Sequence, residues 1–223
     1  MKRLDIIVEG PSEREFVSQC LAPYLGRLGV IDEYAVSPIV IRTNMNYRGG
    51  MTKYNHLRDT IHQSLSSENR QLIVSMMVDF FRLPTNVPRP NNYDDLSSDY
   101  EKANAIQQCV ADDINDIRFI PYIQLHEFEA FLFADCRGFD YCYGADSRRL
   151  KQLYDIIDQY PNPEDINSSP NGAPSKRILS IINEYEKVLD GNLIILQNGI
   201  DSILSKCPRF RAWVELLIQR CRE

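Results

Sequence analysis

The segment at residues 71–79, QLIVSMMVD, constrains this chain more than any other, because it is an unbroken apolar run that stops at an acid. A strand with one wet face alternates apolar and polar residues, since successive side chains point to opposite faces. This run does not alternate. It reads as a strand buried on both faces, as in a parallel sheet covered by helices.

Three further segments read as strands: residues 4–8 (LDIIV), 35–43 (AVSPIVIRT) and 118–125 (RFIPYIQL). Helical patterns lie between them. Ser12 reads as an N-cap, with Glu15 completing a capping box. A stripe of Phe16, Val17, Cys20, Leu21, Tyr24 and Leu25 follows and ends near Gly29. Residues 56–65 place Leu57, Ile61 and Leu65 on one face, and residues 96–114 fit another amphipathic helix. Strand and helix in alternation predict right-handed crossovers and an α/β fold, an open, mainly parallel sheet with helices on both faces. The proline-rich stretch at 82–95 reads as a surface loop or flap. After about residue 145 strand patterns fade, and helices are expected at 147–159, 175–189, 200–205 and 210–221. The expected division is an α/β core at 1–145 and a mainly helical extension at 146–223 packed on it.

Composition narrows the function classes. The net charge of −6 argues against coating nucleic acid through bulk attraction. It leaves room for a local basic patch beside acidic metal ligands. No apolar run is long enough to cross a bilayer. Asp5 and Glu9 interrupt what would be a signal core, so a cytoplasmic protein is expected. Six scattered cysteines without a C-x-x-C pair read as reduced thiols, not a zinc site.

In open parallel sheets, ligands bind outside the carboxyl ends of the strands. The first strand here ends at Glu9, the third at Asp79, and the fourth runs into Glu127 and Glu129; Glu13 lies one helical turn past Glu9. An oxygen-only set suits Mg²⁺ or Mn²⁺. Mutual repulsion among the acids favours a divalent cation. His126 reads as a hydrogen-bonded structural histidine, since no second histidine lies at ligand spacing. Phe128, Phe131, Leu132 and Phe133 read as core. Arg48, Gly49, Gly50 and Lys53, after the second strand, form either a phosphate-binding loop or a plain turn. Lys176 and Arg177 start a helix, where cations oppose the helix dipole; the pair is either an anion site or solvated charge.

VEGPSEREFV, after the first strand, resembles the opening motif of Toprim domains, the catalytic fold of topoisomerases, primases and OLD-family nucleases. VEGPSE, YRGGMTKYNHLRDTI, MMVDFFRLP, HEFEAFLFAD, APSKRI and CPRFRAWV together are similar to a bacterial family of small Toprim-like proteins of unknown function. The resemblance implies a Toprim/Rossmann-like fold, with Glu9 and Asp79 at the positions of the Toprim carboxylates. It implies Mg²⁺-dependent chemistry on DNA or RNA phosphodiesters, a role in phage defence, and an SMC/ABC-type ATPase as partner. Lys176 resembles the lysine that assists at the scissile phosphate in OLD-type nucleases. Glu9, Glu13, Asp79 and Lys176 are then the catalytic candidates, with Glu9 or Glu13 as proton shuttle. Glu9, Asp79, Glu127 and Glu129 are the metal candidates, and Arg48, Gly49, Gly50, Lys53 and Arg177 the phosphate candidates. One departure stands out: where Toprim domains carry Asp-x-Asp, this chain has Asp79-Phe80-Phe81. Glu127 or Glu129 would have to replace the missing acid, or the protein is a non-catalytic module serving an ATPase. A nucleotide-binding Rossmann-like protein is the weaker third reading, lacking the glycine signatures.

Overall fold

The computed structural model describes residues 2–43, 51–145, 148–166 and 172–223. Strand β1 (Arg3–Val8) leads into α1 (Pro11–Phe16), a π-helical segment (Val17–Leu21) and α2 (Ala22–Arg27). Pro23 has no N–H to donate, and the helix changes register just before it, with Ala22 N–H reaching back to Val17 O. Then follow β2 (Val36–Val40), α3 (Tyr54–Leu65), β3 (Leu72–Asp79), α4 (Asp99–Ile114), β4 (Phe119–Ile120) and β5 (Ile123–Gln124). A 3₁₀ run (Phe128–Ala134) opens the rest, which is helical: α5 (Arg137–Tyr143), α6 (Arg148–Gln159), α7 (Pro174–Ile181), α8 (Leu189–Asn198), α9 (Ile200–Lys206) and α10 (Pro208–Arg222).

The sheet is parallel, in the order β2-β1-β3-β4, with β5 continuing along the same edge of β3. Its two faces carry separate cores. Leu4, Ile6, Val8, Ile73 and Met77 pack with Phe16, Phe131, Phe210 and Trp213. Ile7, Val74, Met76 and Val78 pack against Leu57 and Ile61 of α3 and Ile106 and Val110 of α4. This two-sided burial is what the unbroken apolar pattern of β3 requires. Ser75 is satisfied inside it, donating to Ile120 O at 2.6 Å and accepting from Trp213 Nε1 at 3.0 Å. Residues of the first 145 and of the later helices share the first core, with Leu150, Leu153, Ile178 and Leu217 joining Phe16 and Phe128.

Local readings needed correction in three places. The helix after β1 is capped at Gly10, not Ser12, and Glu15 pairs with Arg14 and Gln19. A complete capping box stands instead at Ser98 and Glu101, opening α4. The fourth strand is split into β4 and β5, because Pro121 has no N–H for the ladder. The helix expected over 175–189 ends at Ile181. Ile182 and Tyr185 turn into the core there, and Asp190 Oδ2 accepts from Glu186 N–H and Tyr143 O–H at 2.8 Å each, holding the turn before α8.

Candidate metal centre at the carboxyl edge of the sheet

The register of the sheet places Glu9 and Asp79 on neighbouring strand ends. β1 and β3 pair from Arg3 and Leu72 through Val8 and Met77, so both acids emerge at the carboxyl edge. Glu9 Oε2 accepts from Asp79 N–H at 3.3 Å, and Glu9 Oε1 accepts from Met51 N–H at 3.3 Å. Glu13 sits buried at the third position of α1. A Cβ at Gly10 would stand 3.2 Å from Glu13 Oε2, so glycine gives the carboxylate its room.

The other side of the site comes from the chain after β5. Phe80 N–H donates to Gln124 O at 2.8 Å and Phe81 N–H to His126 O at 2.9 Å, which fastens this turn beside Asp79. His126 takes a left-handed backbone, φ 69°. Its ring is buried, but Nδ1 has no hydrogen-bond partner among the described residues, so this nitrogen departs from the expected hydrogen-bonded histidine. Glu127 then accepts from Ser175 N–H at 3.0 Å, tying its carboxylate to the start of α7. Glu129 lies inside the 3₁₀ run with 0% exposure.

Glu9, Glu13, Asp79 and Glu129 act on one another electrostatically. Burial pushes the Asp79 carboxyl well above the ordinary range, and the charges of Glu9 and Glu13 push it further. Burial also raises Glu9, Glu13 and Glu129. The opposing charge is Lys187, which sequence reading missed. It stands in the turn before α8, with Nζ 2.9 Å from Glu129 Oε1. Burial alone would lower its ammonium, yet Glu129, Asp79 and Glu13 outweigh that and raise it.

The remaining candidates divide. Lys176 is exposed in the first turn of α7, one residue from the Ser175 N–H that Glu127 holds. Arg177 is engaged locally, donating to Gly172 O at 2.7 Å and lying 5.2 Å from the centre of the Tyr160 ring. Lys53 is the exposed N-cap of α3. Arg48, Gly49 and Gly50 lie outside the described residues.

Two observations bear on whether these residues suit a hard cation. Among the described residues, no three His, Cys, Asp or Glu side chains already stand as a ligand group. Yet both Glu129 oxygens are buried without an aligned hydrogen bond, and so is the Tyr185 hydroxyl, whose strongest charged neighbour is Glu129. Glu129 Oε1 is met by the Lys187 ammonium, while Glu129 Oε2 and the Tyr185 hydroxyl have no partner among the described residues, and buried polar atoms of that kind are rare. The donor chemistry, all carboxylate oxygen, is of the kind that suits Mg²⁺ or Mn²⁺.

Sheet order, two-sided helical cover and acids at the carboxyl edge define a Toprim-like α/β fold with a helical C-terminal part. The chain belongs to the family described as a domain of unknown function, DUF4276, whose model matches residues 8–218. Its fold is similar to that of the C-terminal region of the OLD protein of Xanthomonas campestris pv. campestris. One structure of that region is 16% identical, with a TM-score of 0.53, over 99% of this chain and 92% of that one. A second is 15% identical, with a TM-score of 0.51, over 100% and 95%. No curated protein matches the chain. No helix among the described residues is long and apolar enough to cross a membrane.

Proposed function

We propose that this protein is a Mg²⁺- or Mn²⁺-dependent nuclease acting on DNA or RNA phosphodiesters in the cytoplasm. The observation that carries the reading is the set of carboxylates at one sheet edge, partly buried Glu9 and Asp79 with buried Glu13 and Glu129, and with Glu129 lacking any aligned donor among the described residues. Asp79 and Glu9 would hold the ion, with Glu129 in place of the missing second acid of Asp-x-Asp, and Glu127 beside it. A divalent metal in such a site lowers the pKa of a bound water and stabilises a leaving oxygen. Glu13, one helical turn past Glu9, would take or return a proton. Lys176 would meet the phosphate from the exposed start of α7. The resemblance to OLD-family nucleases supports a role in phage defence.

A second reading is favoured by Phe81 standing where Toprim domains carry an acid. On that reading the protein is a non-catalytic module for an SMC/ABC-type ATPase. Cleavage of plasmid, single-stranded DNA and tRNA with Mg²⁺ or Mn²⁺ separates the two. Metal-dependent products that disappear in Asp79→Asn are expected. Wild-type protein that leaves all three substrates intact would favour the module.

A further inference from the structure

Lys187 is placed where a cation would bind. Its ammonium lies 2.9 Å from a Glu129 oxygen that has no other donor, and its charge acts on Glu9, Glu13, Asp79 and Glu129 alike. The lysine does not belong to the sheet edge that carries the acids. It comes from the turn that exists because α7 ends at Ile181, and its side chain is half-exposed, at 48%, while Glu129 has no exposure at all.

We propose that Lys187 is a built-in counter-cation that competes with the divalent metal for these carboxylates, so that metal binding displaces its ammonium group. This rests on the metal-centre reading above. A carboxylate lone pair that faces an ammonium at 2.9 Å cannot also face Mg²⁺ at about 2.0–2.1 Å. The two cations would also repel each other at this distance. Lysine suits the role better than arginine, being a compact charge on a flexible stem that can swing into solvent without breaking a bidentate pair. With no metal bound, the lysine charge offsets the mutual repulsion of these acids.

The test uses the full chain with Mn²⁺ alone as the probe, read by titration calorimetry and by melting temperature with and without metal. Lys187→Met keeps the apolar stem and removes the charge; Lys187→Arg keeps the charge. Lys187→Met should bind Mn²⁺ roughly two- to fivefold tighter than wild type, the size of one partly exposed ion pair. It should also melt lower than wild type without metal, and the gap should close at saturating Mn²⁺. Lys187→Arg should melt near wild type without metal and bind Mn²⁺ no tighter than wild type. Should Lys187→Met not fold without metal, Lys187→Gln, which keeps a donor toward Glu129, carries the same comparison. Unchanged or weaker Mn²⁺ binding in the neutral variants, with wild type binding normally, overturns the competition. Absence of Mn²⁺ binding in wild type and every variant overturns the metal centre itself, and this inference with it.

Discussion

Glu164 and Glu129 are both buried carboxylates, at 1% and 0% exposure, and burial raises the pKa of each, yet their surroundings are opposite. Glu164 accepts from Arg209 N–H at 2.9 Å and from Phe210 N–H at 3.0 Å. It caps α10 from a distance, where the N-cap Cys207 supplies no side-chain bond. Glu129 receives no aligned bond and faces only an ammonium reaching in from solvent. A buried carboxylate with its donors arranged is part of the scaffold. One without them costs stability and persists where something else is to be bound.

The contrast can be broken most forcefully at Glu164. Replacing it with alanine leaves two buried N–H groups without partners at a helix start, and should cost about 3 kcal/mol in urea unfolding. A loss below about 1 kcal/mol would remove the distinction, because the donors would then have been satisfied otherwise. The opposite sign is expected at the sheet edge. Asp79→Asn keeps the shape and removes one of the crowded charges, so it should stabilise the metal-free protein by about 1 kcal/mol. That corresponds to a melting temperature higher by about 2–4 °C. A lower melting temperature would show that Asp79 is held as well as Glu164 is.

The smallest effect sharpens the scaffold side. Asp116 pairs with Arg118 at 2.7 Å, and Arg118 also donates to Leu65 O at the end of α3 and to Ser67 O just past it. The hydrogen bonds from Arg118 hold the Asp116 carboxyl below the usual range. A depressed folded-state pKa gives stability that is present above the unfolded value, near 3.9, and lost as pH falls through the lower folded value. Asp116→Asn should therefore cost about 0.5–1 kcal/mol at pH 7, and the difference from wild type should shrink as pH drops below about 4. A difference independent of pH would mean that shape, not charge, holds this corner.

The strand ends were legible in the sequence because their signal is local: an apolar run buried on both faces must stop somewhere, and at Val8 and Val78 it stops at an acid. Those two facts locate Glu9 and Asp79 at one edge of a parallel sheet. Lys187 was not legible, because NEYEKVLD continues a plausible helical pattern and carries no glycine or proline to break it. The break comes from tertiary anchors, Ile182 and Tyr185 in the core and the Asp190 carboxylate on Glu186 N–H. Glu164 was hidden for a related reason, since its partners at Arg209 and Phe210 lie 45 and 46 residues away. The one signal pointing to it was the CPRFRAWV motif, whose proline at the first helical turn lacks the usual Ser, Thr, Asp or Asn cap.

The central claim is that the carboxylates at the sheet edge form one metal centre. Equilibrium Mn²⁺ binding, measured by calorimetry on wild type, Glu9→Gln and Asp79→Asn, tests it most directly. Saturable binding in wild type, lost or strongly weakened in both variants while their folds persist, is the predicted result. Binding that is undiminished in both variants, or no binding in wild type, would contradict it.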